Sequence, residues 1–291
     1  MLKSLALLVI AIPFACGPAA RQSPGGDDDD DTGGNDGGNN QQGSNGSNCV
    51  VDQPQSTPIA LPDTNQADGS QPTCTTSSQC PTSAPNCVIT ADTADGGPGY
   101  CAQSYVDTLN FVGFGSGATL TDVSKLISVC ATVDHSWLGD LEIDLISPDG
   151  KTVALRQFIG RTLDPYFLGH PDFCDTTKAG SGYQYCWTAT ASTKFLKSGN
   201  QTCAAASGCE QWDGNPINTC GDDPDDEAPY QVVPAGSYLP DVSFSALQGA
   251  QLNGNWTFRV TDLWQEDQGY LFDWSIQFDS SLVANCQNLI Q

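Results

Sequence analysis

Leu252-Asn253-Gly254-Asn255-Trp256-Thr257-Phe258-Arg259-Val260-Thr261-Asp262 is the stretch on which the fold turns. Trp256, Phe258 and Val260 alternate with Thr257, Arg259 and Thr261, the two-residue period of a strand with one buried face. An acidic loop containing Glu266 and Asp267 ends at Gly269. A second alternation follows, with Trp274, Ile276 and Phe278 on one face and Asp273, Ser275 and Gln277 on the other. Two aromatic-faced strands need a covering sheet, which must come from upstream.

Upstream, Leu126, Ser128 and Cys130 alternate with Ile127, Val129 and Ala131, and Val133 carries the strand on to His135. After the turn Ser136-Trp137-Leu138-Gly139, Leu141, Ile143 and Leu145 take one face while Asp140, Glu142 and Asp144 take the other. Ser147-Pro148-Asp149-Gly150 reads as a turn and Thr152-Val153-Ala154-Leu155 as the returning strand. No amphipathic helical run of useful length appears. The pattern predicts an all-β protein, an antiparallel β-sandwich of jelly-roll type.

The length, 291 residues, suffices for one good core with appendages. Thirty-four acidic against ten basic residues give a formal charge of -24, which keeps an exported protein soluble. It also speaks against nucleic acid and anionic membrane surfaces as partners. Thirteen cysteines beside two histidines point to disulfides made in an oxidising compartment, not to a mixed Cys/His zinc site. Setting Cys16 aside leaves an even number: Cys49, Cys74, Cys80, Cys87, Cys101, Cys130, Cys174, Cys186, Cys203, Cys209, Cys220 and Cys286. Their pairing stays open at this level.

The N-terminus starts with Lys3 and a short apolar run over residues 5–14, too short to span a bilayer and suited to export. Ala15-Cys16-Gly17 resembles the end of a bacterial lipobox, which implies lipidation of Cys16 and a leader over residues 1–16. Pro13 departs from that pattern, and ordinary cleavage near Ala20 is the alternative. Residues 17–73 are rich in Gly, Asn and Asp, including the acidic run 27–31, and are expected to form a disordered tether. Cys49 is expected to pin its end to a folded element.

Cys74, Cys80, Cys87 and Cys101 crowd into a segment whose later part offers only Val88 and Ile89 as apolar bulk. Such a segment needs staples, so residues 74–101 are expected to be a small cysteine-rich module. Four thiolates on a metal would favour Cys-x-x-Cys pairs, which are missing here.

The order His135, Gly139-Asp140-Leu141, Ile143, Leu145, Ser147-Pro148-Asp149-Gly150 continues with Gly236-Ser237-Tyr238-Leu239-Pro240 and Leu247-Gln248-Gly249. Gly254-Asn255-Trp256, Val260, Asp262, Gly269, Leu271 and Trp274 complete it. This succession resembles the P domain (P/Homo B domain) that follows the catalytic domain of subtilisin-like proprotein convertases and also occurs in bacterial exported proteins. The resemblance covers roughly residues 110–279 and implies a jelly-roll-like β-sandwich over residues 105–282. The long interval between Leu155 and Gly236 departs from it. That interval holds Phe173-Cys174-Asp175, which resembles a short family segment, and then four further cysteines. Residues 160–235 are therefore expected to form a disulfide-pinned insertion at one edge or end of the sandwich.

The family name invites a protease reading, which requires an Asp, a His and a Ser held together. Only His135 and His170 offer imidazole, and no Gly-x-Ser-x-Gly elbow surrounds a serine. His135, ending an apolar strand, reads as a structural hydrogen-bonding residue, and His170 as a loop residue. No catalytic residue is assigned. For a hard cation, Asp262, Glu266 and Asp267 lie in one loop, and Asp140 and Asp144 follow the His135 turn. P domains of bacterial proteins sometimes hold calcium, so these five are the candidate Ca2+ ligands, with Asp262 and Asp267 foremost. Solvated loop acids are the alternative.

These features together suggest a non-catalytic surface module, lipid-anchored at the bacterial outer membrane or cell surface, or else secreted or periplasmic. It would bind or stabilise an envelope or extracellular protein or a polysaccharide, touching membrane only through its N-terminal lipid. A surface-coat lipoprotein without a specific ligand, or an accessory of a secreted serine endopeptidase acting in trans, are the other readings. An exposed aromatic patch around Tyr183, Tyr185 and Trp187 would favour the binder.

Overall fold

The structure, a computed structural model, describes residues 41–45, 48–62, 72–90, 99–158, 166–172, 177–194, 210–211, 231–264, 267–283, 286 and 289–290. All of them belong to one unit, Gly38–Gln291. The early strands are β1 (Gln41–Asn45), β2 (Asn48–Ala60), β3 (Thr73–Cys74), β4 (Asn86–Val88), β5 (Gly99–Ala102) and β6 (Tyr105–Phe111). The central ones are β7 (Leu126–His135), β8 (Leu141–Ile146), β9 (Thr152–Arg156), β10 (Tyr166–Leu168) and β11 (Tyr183–Trp187). The last are β12 (Glu210–Gln211), β13 (Gln231–Val233), β14 (Gly236–Tyr238), β15 (Gly254–Asp262) and β16 (Gly269–Asp279). Among the described residues helix is confined to single 3-10 turns, so the fold is all-β. No helix there is long and apolar enough to cross a membrane.

One sheet runs β6-β15-β8-β9, antiparallel throughout. The larger sheet runs β1-β2-β16-β7, and both β10 and β11 then pair with β7. Parallel pairings of β10 with β13 and of β11 with β14 make this sheet mixed. β3, β5 and β4 form a small third sheet.

β15 and β16 are neighbours in sequence but lie in different sheets, and each covers the other. Phe258 stacks on Trp274 with ring centroids 5.1 Å apart, and Trp256 meets Phe278 edge-on at 5.5 Å. All four rings are fully buried, as are Val260 and Ile276. Fully burying side chains of this size is worth about 2–3 kcal/mol each. The Trp256 indole N–H finds the Leu252 carbonyl at 3.0 Å, so its polar edge is not stranded in the core.

The alternation in β7 breaks once. Gln277 pairs with Ser128 but Phe278 pairs with Leu126, so Ile127 is an extra residue, a β-bulge. The bulge returns Leu126 to the face of Val129, Ala131 and Val133, and all four are buried.

Two boundaries expected from composition move. The tether does not run to residue 73, because residues 48–60 form β2, hydrogen-bonded between β1 and β16. Cys49 and Val51 reach the core, and Cys49 is bridged to Cys286. Pro54 hides this strand in the sequence, and the pairing with β16 shifts register beside it, where proline is tolerated. Residues 1–40, including Cys16 and the acidic run, lie outside the described residues.

The interval 160–235 is not wholly an insertion either. β10, β11 and β13 fall within it and are built into the larger sheet, with Leu168, Tyr185, Trp187 and Val233 in the core. These strands are only three to five residues long, too short for a period to declare itself.

Candidate functional site

Two buried polar clusters stand out, one at a corner of the sandwich and one on the outer face of the smaller sheet. The corner is built where β7 ends and the loop from β15 to β16 passes over it. His135 is fully buried; its Nε2 lies 3.1 Å from Asp262 Oδ2, and its Nδ1 accepts the Trp137 N–H at 3.0 Å. The neutral ring therefore carries its proton on Nε2, pointed at Asp262. Burial opposes the charged imidazolium, but Asp262, helped by Asp267 and Asp134, outweighs it and raises the pKa of His135 above the usual value.

Asp262 Oδ1 accepts the Trp264 N–H at 3.0 Å, which fixes the start of the loop. Ser136 donates to Asp267 Oδ1 at 3.1 Å and accepts the Gln268 N–H at 2.9 Å, which fixes its end. Asp134 accepts the Tyr270 and Gly180 N–H groups at 2.8 and 2.7 Å. Burial nevertheless raises its pKa from 3.8 to about 6. A Cβ at Gly269 would collide with the His135 ring and the Asp134 carbonyl, so the backbone passes here only as glycine.

A catalytic dyad would present one imidazole nitrogen to a nucleophile. Here both are engaged, one by a backbone N–H and one by a carboxylate, with the ring sealed from solvent. The arrangement ties β7, β15 and the crossing loop into one corner.

The second cluster lies on the outer face of β8, β9 and β15. The alternation put Glu142 and Asp144 there, and an outer face would be wet; instead both are buried. The cysteine-rich module docks beside Glu142, on Phe158, whose N–H that carboxylate accepts. Val88 and Ala102, with Tyr100, pack on Phe158 and Leu263, and Ser104 bonds Thr261 at 2.7 Å. Arg259 grips Asp144 Oδ2 with Nε at 3.0 Å and Nη2 at 2.6 Å. Arg156 reaches Asp241 at 3.3 Å, and Glu142 Oε2 accepts the Phe158 N–H at 2.5 Å. Burial, then the charge of Asp144, raises the pKa of Glu142 well above the carboxylate range. Burial likewise raises Asp144 and lowers Arg156. Arg156 and Asp241 carried no signal in the sequence, since each sits at a strand end or loop far from its partners.

This geometry disperses those candidate calcium ligands that are among the described residues. Both oxygens of Asp262 face His135 and Trp264, Asp144 faces Arg259, and Asp267 holds Ser136. Asp140 is buried in its own 3-10 turn, and Glu266 lies outside the described residues. Among the described residues these acids do not gather as three or more around one point, so they do not fit a single cation shell. The cluster that does gather is Cys74, Cys80 and Cys87, but their sulfurs are tied up in bridges.

Among the described residues four disulfides join Cys49 to Cys286, Cys74 to Cys87, Cys80 to Cys101 and Cys130 to Cys186. Cys174, Cys203, Cys209 and Cys220 lie outside the described residues. The aromatic patch does not form. Tyr185 and Trp187 are fully buried, Tyr185 donating to the Val233 carbonyl at 2.8 Å, and Tyr183 is bonded to His170 at 2.7 Å.

An all-β sandwich with two buried polar clusters is the class these observations define. Residues 124–170, from the start of β7 through β10, match the family model described as the proprotein convertase P-domain. Among solved structures, a serine protease of Aeromonas sobria aligns at 15% identity with a TM-score of 0.24. The alignment covers 78% of this chain and 28% of that one, so the chain spans well under a third of that protease. No curated protein matches.

Proposed function

We propose that this chain is an exported, non-catalytic module whose P-domain sandwich binds and stabilises a protein partner in the cell envelope or outside it. The observation that carries this is the match of residues 124–170 to the P-domain model, together with a His135 locked at both ring nitrogens inside the fold. The disulfides support an oxidising compartment. Lipidation at Cys16 places the module on a membrane surface. The partner is a protein because P domains stabilise a protein neighbour, in convertases the catalytic domain itself.

The test immobilises the purified full chain and exposes it to native envelope extract. A discrete protein should be retained in stoichiometric amount, and adding the chain back should raise that protein's melting temperature. In parallel, the chain is incubated with casein and a fluorophosphonate probe. Serine-directed labelling that tracks casein hydrolysis would overturn the non-catalytic reading, and retention of polysaccharide alone would overturn the protein partner.

A further inference from the structure

The Cys130–Cys186 bridge sits in an unusual place. Cys130 and Cys186 are direct partners in the antiparallel β7–β11 ladder, so the disulfide joins two strands that backbone hydrogen bonds already join. The other three bridges among the described residues each bury one member: Cys49 is 0%, Cys74 2% and Cys101 1% exposed. Cys130 and Cys186 are both part-exposed.

Their neighbours along the same row are small. Cys130 pairs with Ser275 on β16, and Cys186 pairs with Ser237 on β14. A thiolate attacks a disulfide in line with the S–S bond, displacing the far sulfur. In this row the line of attack on Cys186 passes over Ser237, which is exposed. The line of attack on Cys130 passes over Ser275 towards Asp52, whose charge repels an incoming thiolate. Ser128 Oγ lies 3.9 Å from Cys130 Sγ and can turn its hydroxyl towards a departing thiolate there.

We propose that Cys186 is a thiol-accepting site. An external thiolate forms a new S–S bond with Cys186 Sγ, the Sγ–Sγ bond to Cys130 breaks, and its electron pair leaves on Cys130, which takes a proton from water. The exchange is redox-neutral, one disulfide for another, and needs no further oxidant or reductant. Tyr185 and Trp187 stay rooted in the core on either side of Cys186, so β11 keeps its place after the exchange. With a formal charge of -24 on the chain, a cationic small thiol is the favoured class of ligand over an anionic one.

The test incubates the full chain, folded and in low salt, with cysteamine or with mercaptoethanesulfonate, quenches in acid and maps the adducts by mass. The expected product is a cysteamine adduct on Cys186 with Cys130 as free thiol. It should form roughly tenfold faster than adducts at the other three bridges, because thiol access sets the rate. Mercaptoethanesulfonate should react more slowly, and salt should narrow the gap. Ser237→Phe should slow the adduct while leaving the near-ultraviolet circular dichroism unchanged, and Ser237→Ala should not. An adduct on Cys130, earlier reaction at another of the three bridges, or equal rates for Ser237→Phe and Ser237→Ala would each overturn the assignment.

Discussion

Gly269 has no side chain because the His135 ring and the Asp134 carbonyl occupy the space where one would start. Gly269→Ala should therefore cost about 1–3 kcal/mol, the usual penalty of forcing atoms into a packed site, read as a lower denaturation midpoint. His135→Ala leaves Asp262 buried without its partner and should cost about 3–5 kcal/mol, as breaking a buried pair does. The matching change Asp262→Asn should cost less when added to it, since the pair is then removed together. Asp134 supplies a pH signature. Its folded pKa is about 6 against 3.8 unfolded, so between those values the folded state holds the extra proton. The stability this group contributes is present at pH 4 and is lost as pH rises through 6, by on the order of 2 kcal/mol. Asp134→Asn should flatten that slope in urea titrations run from pH 4 to 7. A wild-type slope left unchanged by the substitution would show that Asp134 is not the group responsible.

At the scale of elements, β15 and β16 are held by aromatic contacts across the sandwich and not by pairing with each other. Phe258→Leu and Trp274→Phe should each destabilise, and a double-mutant cycle should return a coupling of about 0.5–1.5 kcal/mol, the worth of a stacked pair beyond its area. Additive effects would mean the rings do not touch. These two strands were legible in sequence because their alternation is long and aromatic. β8 was legible because aliphatic and acidic residues alternate along it. What alternation does not report is which sheet a strand joins, so the cover sought upstream for β15 proved to be β16. β2 was illegible because its prolines and glutamines mimic a linker, and its strand character comes from the ladder that β16 offers. The acid face of β8 was legible as a face, but its burial was not. The module that docks beside it, with Val88 and Ala102 on Phe158 and Leu263, does so by contacts no local pattern announces. The same blindness bears on the calcium candidates: sequence proximity gathered acids of which the fold assigns Asp144, Asp262 and Asp267 to different hydrogen-bond donors.

For the whole molecule, the Cys49–Cys286 bridge has a mechanical consequence. β2 runs antiparallel to β16, with Asn48 opposite Asp279 and Cys49 opposite Phe278. A pull on the residues before β1 would strip β1 and then open the β2–β16 ladder from that end, one hydrogen bond at a time, the geometry in which strands part under least force. Cys286, just past the end of β16, is tied to Cys49 at the mouth of that fork. The load thus passes to the C-terminal end of the chain before any rung of the ladder beyond Cys49 bears it. Stretched singly between its N-terminus and a surface, the wild-type chain should yield only at high force, and Cys286→Ser should unzip early with an added extension matching β2. Equal rupture forces for the two would mean that the fork opens elsewhere. A force arriving through the residues before β1 would, on this design, be carried past the core and leave it shut.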